Sequence, residues 1–329
     1  MKIGIVGVGS LGQHHARVYS QIPDVEIFGV CDVDKKRVEK IAKNFNTQAF
    51  SDYKELIDKI NLVRNGVSRQ DISNKVDAVS IVVPTPLHYI VAKDFLNAGI
   101  HCLVEKPITD DVSQAEELLK IANEKNVILQ IGHIERFNTA VIEAQKYIKS
   151  PKFIEAQRLG PYDPRVAHIG VVMDLMIHDI DIILTLVNSK IVQIDAIGAK
   201  ILSQNEDIAN VRLKFENGCV ANISASRVSI DKFRKIRIFQ DDAYISLDYA
   251  GQSLKIYRKK SDLSGGETSI VTSMSDIEII KPKLKTEEPL KKELEHFINC
   301  VKTGKPPLVT GEHGRDALEV VVEILKKLC

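Results

Sequence analysis

Short apolar runs alternate with polar, helix-spaced segments through the first 132 residues. The apolar runs occupy residues 2–6, 25–31, 77–83, 100–104 and 127–131. Amphipathic patterns between them predict helices at 11–21, 34–44, 87–98 and 111–124. Because the runs are apolar on both faces and are separated by helices, we expect a parallel sheet with helices on both sides.

One stretch, residues 58–75, interrupts this alternation. It is polar and rich in Asn, Asp, Lys and Arg. We interpret it as a surface insertion between a helix and a strand, with little contribution to the core.

Beyond residue 132 the pattern changes to strand-like runs that follow one another directly. A long apolar segment predicts a helix at 171–187, and two further helices are predicted at 288–302 and 312–327. Strands are predicted around 191–201, 207–215, 218–226, 233–240, 243–249, 253–259 and 268–280, with Asn217-Gly218 and Asp241-Asp242 at hairpin turns. The fold class is therefore α/β: a parallel-sheet domain at 1–132, then an α/β domain at 133–329 with a large, open, mostly antiparallel sheet.

Composition narrows the function classes. The 329 residues carry 45 Lys plus Arg against 44 Asp plus Glu, which argues against a protein that binds nucleic acid through phosphate contacts. No apolar run reaches the roughly 18–20 residues of a membrane span, so we expect no membrane partner. The cysteines are scattered and predict neither a disulfide framework nor a zinc site; they are Cys31, Cys102, Cys219, Cys300 and Cys329. A cytoplasmic location fits this usage best.

A glycine motif follows the first strand directly. Gly7-Val8-Gly9-Ser10-Leu11-Gly12 matches GxGxxG, the loop whose backbone approaches a dinucleotide pyrophosphate at a helix N-terminus. Asp32 ends the second strand twenty residues later, where a carboxylate would bond the adenosine ribose. We therefore predict a Rossmann domain in which Gly7, Gly9, Ser10, Leu11, Gly12 and Asp32 bind the cofactor.

The choice of cofactor depends on charge. Asp32 favours NAD because a carboxylate repels the 2′-phosphate of NADP. Lys35, Lys36 and Arg37 would offset that repulsion if they faced the site, but the favoured interpretation is a solvated helix face. The predicted cofactor is NAD.

Two further segments leave neighbouring strands at their carboxyl ends, where ligands bind in parallel sheets. The first contains Thr85, Pro86 and His88, and the second contains Glu105 and Lys106. Lys106 is followed by Pro and is expected to be a pre-organised donor rather than a solvated lysine. His88 either contacts the cofactor ribose or caps a helix, and the sequence leaves both open. All five are predicted cofactor-binding residues, and Lys106 is also predicted to be catalytic.

The apolar segment 171–187 carries a polar stripe. Asp174, His178, Asp181 and Thr185 recur at i, i+4, i+7 and i+11. Since burying carboxylates and an imidazole is costly without partners, we interpret Asp174 and His178 as an oriented general base. A solvent-facing stripe and a metal site remain alternatives, although no third ligand is evident and no metal is predicted.

Together the glycine motif, Asp32, Glu105-Lys106-Pro107 and Asp174-xxx-His178 resemble the Gfo/Idh/MocA family of nicotinamide-dependent oxidoreductases. The resemblance covers essentially the whole chain, including its closing GKPPLVTGEHGRDALEV segment. It implies that Lys106, Asp174 and His178 are catalytic. It also implies that the antiparallel sheet is the interface of a homodimer or homotetramer.

A finer resemblance lies in Gly132-His133-Ile134-Glu135-Arg136-Phe137-Asn138. This segment is similar to GHIERFNP in a bacterial subgroup that includes UDP-N-acetylglucosamine 3-dehydrogenases, with Thr139 in place of Pro. Arg136 is expected to pair with a substrate diphosphate, or alternatively with an internal acid such as Glu135 or Asp181. The predicted substrate-binding residues are Arg136, Asn138, Tyr162 and Arg165.

These observations predict an NAD-dependent sugar-nucleotide dehydrogenase that oxidises a pyranose hydroxyl, the 3-hydroxyl of UDP-N-acetylglucosamine being favoured. By resemblance its pathway is lipid A or surface-polysaccharide synthesis. Two alternatives stay open: a dehydrogenase of a free polyol or sugar such as inositol or glucose, and an NAD-binding regulator without catalysis. The regulator would not need Lys106, Asp174 and His178 together.

Overall fold

Residues 1–66, 76–166, 168–260 and 274–328 are described by a computed structural model. They form two units, one of Met1–Ile134 with Glu288–Leu318 and one of Glu135–Glu287 with Glu319–Cys329. The sequence assigned everything after residue 132 to the second domain. The structure differs in placing Glu288–Leu318 with the first unit.

The first unit contains a six-stranded parallel sheet, which confirms the predicted Rossmann architecture. Its strands are β1 (Lys2–Val6), β2 (Glu26–Cys31), β3 (Gln48–Phe50), β4 (Val76–Ile81), β5 (His101–Glu105) and β6 (Leu129–Gly132). The spatial order is β3-β2-β1-β4-β5-β6, so the chain reverses direction across the sheet beside β1. The sequence analysis missed β3, because three residues are too few to show periodicity.

Helices connect these strands at positions close to those predicted. They are α1 (Ser10–Tyr19), α2 (Lys35–Phe45), α3 (Tyr53–Gly66), α4 (His88–Asn97) and α5 (Val112–Lys125). Asp34 and Asp111 accept hydrogen bonds from first-turn amides of α2 and α5, which fixes where these helices begin. Asn46 and Asn126 end them in the left-handed conformation.

The interpretation of 58–75 as a surface insertion is wrong for its first nine residues. They continue α3, and Ile60 is fully buried beside the equally buried Leu56. The polar residues obscured the pattern, since one apolar residue per turn is enough to anchor a helix. Residues 67–75 lie outside the described part of the chain.

The second unit contains a mostly antiparallel sheet, as predicted; it has eight strands, and the first of them along the chain was not among the strands predicted from the sequence. Its strands are β7 (Phe153–Leu159), β8 (Ile191–Ala199), β9 (Ile208–Phe215), β10 (Val220–Ser226), β11 (Phe233–Phe239), β12 (Ala243–Asp248), β13 (Ser253–Lys259) and β14 (Ile277–Ile280). Their order is β14-β13-β12-β11-β7-β10-β9-β8, and only β7 and β10 pair in parallel. Part of the last predicted strand, 268–273, lies outside the described residues.

The two faces of this sheet differ. Alternate residues on one face are buried, such as Ile154 and Ala156 of β7 and Ile236 and Ile238 of β11. We call this the inner face. The opposite, outer face carries a continuous aromatic row with ring centroids 4.9–5.9 Å apart, formed by Phe153, Phe239, Tyr244 and Tyr257.

Two helices of the second unit follow β6 and β7. The short α6 (Thr139–Ala144) was not predicted. The predicted helix 171–187 is instead a π-helical turn, Val172–Met176, followed by α7 (Ile177–Val187). The Ile177 amide bonds to the carbonyl of Val172, five residues back, which widens this turn.

The chain closes with α8 (Pro289–Thr303) and α9 (Gly311–Lys327), near the predicted limits. Helix α8 packs against α1 and places Leu290, Leu294 and Phe297 in the core of the first unit. None of the described helices combines the length and apolarity needed to cross a bilayer.

Candidate active site

The glycine motif forms a tight turn between β1 and α1. Gly7 has a φ of +89°, and a Cβ there would lie 2.5 Å from the carbonyl oxygen of Val82. A Cβ on Gly12 would lie 1.9 Å from the carbonyl oxygen of Gly7. Side chains are therefore excluded at both positions by backbone, which is the role expected of them.

Gly9 has a different role. A Cβ at Gly9 would meet no atom within 4 Å, so packing does not require glycine there. Gly9 is also the N-cap of α1, and it has no side chain that could bond to the first amides of this helix. This combination of open space and uncapped amides fits a dinucleotide pyrophosphate.

Asp32 holds the glycine loop through its carboxylate. It is 9% exposed, and its two oxygens accept hydrogen bonds from the Val8 and Asp34 amides, both over 2.9 Å. Arg37 lies 3.3 Å from Asp32 and 3.2 Å from Asp34, so it is not simply part of a solvated face. One cation is thus held beside the carboxylate that favours NAD.

We expect Asp32→Asn to narrow the preference for NAD over NADP by about 10-fold, the scale of one charged hydrogen bond. The amide keeps an oxygen for Val8 while removing the charge that repels a 2′-phosphate. Titration of both cofactors measures the change. The double variant Asp32→Asn/Arg37→Gln is the control, and it should lose the affinity for NADP that Asp32→Asn gains. Equal affinities of the wild type for NAD and NADP would show that Asp32 does not select NAD.

The segment after β4 is anchored by His88. Thr85 and Pro86 lie in a 3-10 turn, Thr85–Leu87, directly before α4. The ring nitrogens of His88, which is 1% exposed, lie 2.7 Å from the Pro107 carbonyl oxygen and 2.8 Å from that of Val83. Burial lowers the pKa of His88 against the opposing effect of the two carbonyl oxygens, and a neutral ring donates a hydrogen bond to only one of them. His88 therefore joins the ends of β4 and β5, a contact that neither sequence alternative included.

Glu105 and Lys106 end β5 beside this anchor. Glu105 accepts a hydrogen bond from His15 of α1 over 3.0 Å. Burial favours the neutral acid, but His15 and the charge of Lys106 outweigh it and hold the pKa of Glu105 below its usual value. A Cβ on Gly132 would lie 2.8 Å from a Glu105 oxygen, so a side chain there would require this carboxylate to shift. Lys106 itself is half-buried.

The sequence analysis missed two members of this buried polar group, His15 and Glu293. Glu293 lies on α8, is fully buried, and has no hydrogen-bond partner for either carboxylate oxygen among the described residues. Burial and the nearby Glu105 charge raise its pKa well above the usual value. No periodic signal separates such a residue from the exposed acids of an amphipathic helix.

In the second unit, Asp174 lies in the π-helical turn and His178 in the first turn of α7, and both are half-buried. The predicted stripe assumed a uniform α-helix, and the wider turn changes the rotation between these residues. The rest of the stripe is structural: Asp181 is buried, and the Thr185 hydroxyl donates to its carbonyl.

Arg136 is 4% exposed, and its Nε donates to Asp181 over 2.8 Å. This is the internal ion pair given as the alternative to diphosphate binding. Asn138 is 2% exposed; its amide nitrogen donates to Glu135 and to the Tyr249 carbonyl, and its oxygen accepts from the Ala140 amide. Asn138 thus caps α6 and uses its polar atoms within the second unit.

Tyr162 lies against Arg227, with the guanidinium carbon 5.5 Å from the ring centre. Arg227 is buried, pairs with Asp207 over 2.7 Å, and donates to the carbonyls of Val166 and Ile169. These bonds hold the chain that leads into the π-helical turn. The Arg165 side chain lies outside the described part of the chain.

A buried ionic cluster beside α7 was also missed. Arg158 makes two hydrogen bonds to Asp179, over 2.8 and 3.1 Å, and one to Glu135 over 3.0 Å. The Tyr249 ring lies 5.0 Å from its guanidinium carbon. Arg158 alternates with the buried Ile154 and Ala156, so its inward direction was readable from the strand pattern once β7 was recognised.

Comparisons with known proteins agree with this architecture. Residues 1–133 match the family model "Oxidoreductase family, NAD-binding Rossmann fold", and residues 144–246 match the Gfo/Idh/MocA C-terminal domain. The chain is 34% identical to UDP-N-acetylglucosamine 3-dehydrogenase of Acidithiobacillus ferrooxidans, over 98% of this chain and 96% of the other. A solved structure of that enzyme superposes with a TM-score of 0.87, covering 100% of this chain and 97% of the other.

A more distant relative is the NAD(+)-dependent scyllo-inositol 2-dehydrogenase of Bacillus subtilis. It is 26% identical over 97% of this chain and 92% of the other. This relative and the Acidithiobacillus enzyme are both named as dehydrogenases. With the glycine loop, the uncapped α1 and both domain matches in place, the chain belongs to the Gfo/Idh/MocA family and is an NAD-dependent oxidoreductase.

Proposed function

We propose that this protein is a sugar-nucleotide dehydrogenase that oxidises the 3-hydroxyl of UDP-N-acetylglucosamine. The observation that carries the proposal is the similarity to UDP-N-acetylglucosamine 3-dehydrogenase, which extends over both domains at 34% identity. The segment Gly132–Asn138 supports it through its resemblance to the subgroup that includes such enzymes.

The proposed roles of the reactive residues follow from their chemistry. His178 removes the proton of the substrate hydroxyl as general base, and Asp174 orients the imidazole. Lys106 donates a hydrogen bond to the same oxygen and stabilises the negative charge that develops on it. The C–H bond at that carbon breaks as its hydride leaves, so a secondary alcohol becomes a ketone.

The residues of the first unit would hold the cofactor. The amides at the start of α1 would bind its pyrophosphate, and Asp32 its adenosine ribose. Thr85, Pro86, Glu105 and Lys106 would line the nicotinamide side. His88, whose ring nitrogens lie against protein carbonyls, and His15 would fix the two strand ends. When bound, NAD supplies the acceptor for the hydride.

The proposed substrate contacts are revised by the geometry. Arg136 and Asn138 are engaged internally, so we assign them to positioning α6 and α7 rather than to the ligand. Tyr162 and Arg165 remain proposed substrate residues, in the segment before the π-helical turn.

A free cyclic polyol is the second candidate substrate, because inositol dehydrogenases are also relatives. The internal pairing of Arg136 adds weight to this alternative, since it removes one predicted diphosphate ligand. Both reactions would use the same base and the same lysine, and they differ only in what surrounds the reacting ring.

The deciding experiment incubates purified protein and NAD with UDP-N-acetylglucosamine, myo-inositol, scyllo-inositol or glucose, and follows NADH absorbance. We expect turnover only with the nucleotide sugar. Reduction of its product with borodeuteride should place deuterium at C3. Turnover of an inositol without turnover of UDP-N-acetylglucosamine would refute the proposal in favour of the polyol alternative.

We also infer that the chain assembles as a homodimer or homotetramer through the outer face of the second sheet. The half-buried aromatic row Phe153, Phe239, Tyr244 and Tyr257 supports this, because neighbouring aromatic rings on a sheet face gain from further burial against a second copy. A cytoplasmic location and a place in lipid A or surface-polysaccharide synthesis accord with the proposed substrate.

A further inference from the structure

Two arginines lie side by side on the inner face of the second sheet. Arg158 of β7 and Arg234 of β11 are direct cross-strand partners, in register with the pairs Ala156–Ile236 and Ile154–Ile238. Along the inner face of β7 and β11, the first cross-strand pair therefore consists of two cations and the next two pairs are apolar. Like charges directly opposite one another destabilise a sheet unless something compensates them.

Only one of the two arginines is compensated internally. Arg158 is 2% exposed and bonds to Asp179 and Glu135, so these two carboxylates are already engaged. Arg234 is half-buried. Within residues 1–66, 76–166, 168–260 and 274–328, it has neither an ion pair nor a side-chain hydrogen bond.

The charges that act on Arg234 include that of Asp174, a residue of the π-helical turn. Burial and the charge of Arg158 lower the pKa of Arg234, while Glu135, Asp179 and Asp174 act in the opposite direction. An arginine nevertheless remains charged at neutral pH. Arg234 is thus a partly desolvated cation on which the charge of Asp174 acts.

Its place in the strand also favours a ligand. Arg234 is the second residue of β11, opposite the end of β7, and β7 leads into Gly160-Pro161-Tyr162. The Gly160 amide bonds to the Ser226 carbonyl, and Arg227 holds the carbonyls of Val166 and Ile169. The chain before the π-helical turn is therefore fixed at the same end of the sheet.

We propose that Arg234 binds the diphosphate of the substrate, the role that the sequence assigned to Arg136. This inference rests on the proposed function, because it requires a nucleotide sugar. A guanidinium suits the task, since its planar donors match two phosphate oxygens at once. A half-buried cation without a carboxylate partner gains an anion only when the ligand binds.

The test measures binding of UDP by calorimetry, with NAD present, to the wild type, Arg234→Gln, Arg234→Lys and Arg237→Gln. Arg237 is the matched control, because it lies on the same strand, faces the outer side and pairs with Glu155. We expect Arg234→Gln to raise the Kd for UDP by about 10-fold or more, and Arg234→Lys to raise it less. Arg237→Gln should leave it unchanged.

Two further readouts separate a ligand role from a structural one. Affinity for NAD and the Tm should not fall in Arg234→Gln, because the substitution removes a cation that faces Arg158. A lower Tm together with weaker NAD binding would overturn the inference, as would unchanged UDP affinity.

The outcomes also distinguish this inference from the proposed function. A wild type that turns over UDP-N-acetylglucosamine while Arg234→Gln keeps its KM contradicts the assignment of Arg234 alone. A wild type that neither binds UDP nor oxidises any UDP-sugar contradicts both.

Discussion

His178→Ala should lower kcat by at least about 10²-fold while the protein still binds NAD, because removing a positioned base typically costs about 10²- to 10⁴-fold. Steady-state kinetics on the correct substrate and a separate NAD titration measure the two effects. Turnover near that of the wild type would show that His178 is not the base.

Lys106→Ala should show a loss of similar size, because the developing alkoxide loses its hydrogen-bond donor. The double variant should lose far less than the product of the two factors, since both residues are proposed to act on one oxygen. Multiplicative losses would mean that they act in separate steps.

Arg136→Gln should lower the free energy of unfolding by about 3–5 kcal/mol, because it leaves the buried Asp181 carboxylate without its partner. The sequence left two roles open for Arg136, and binding of a substrate diphosphate would instead raise the KM for a nucleotide sugar. Denaturant titration measures the stability, and kinetics below the onset of unfolding measure KM.

Two controls accompany Arg136→Gln. Arg237→Gln removes a half-exposed ion pair with Glu155, and this should cost at most about 1 kcal/mol. Arg136→Leu/Asp181→Leu removes both buried charges and should recover much of the lost stability. A stable Arg136→Gln with a strongly raised KM would restore the diphosphate role of Arg136 and contradict our assignment.

The architecture could be predicted from the sequence because the spacing of apolar residues indicates which faces of a helix or strand are buried. Strands apolar on both faces identified the parallel sheet, and alternating strands without helices identified the second sheet. The failures came where this signal is short or weak: three-residue β3, the single buried Ile60 in a polar helix, and the π-helical turn, whose residues are as apolar as those of a regular helix.

Some residues of the candidate site could be predicted from the sequence and others could not. The glycines of the motif could be identified from the sequence, because neighbouring backbone leaves no room for a side chain at Gly7 and Gly12. The partner of a buried charged residue cannot be identified in this way, because it is distant in the chain. Arg136 and Asp181 are 45 residues apart, and His15 and Glu105 are 90 residues apart. Sequence spacing named acids that would suit Arg136, but only the fold selects one of them.

The π-helical turn Val172–Met176 has a consequence for how this protein tolerates change in length. One residue rotates an α-helix by about 100°. Deleting one residue from the wide turn would restore regular hydrogen bonding, yet it would turn Asp174 away from its present direction while leaving α7 in place. A mutational survey that includes single-residue deletions and insertions should therefore find this turn tolerant of apolar exchanges and intolerant of every change in residue number.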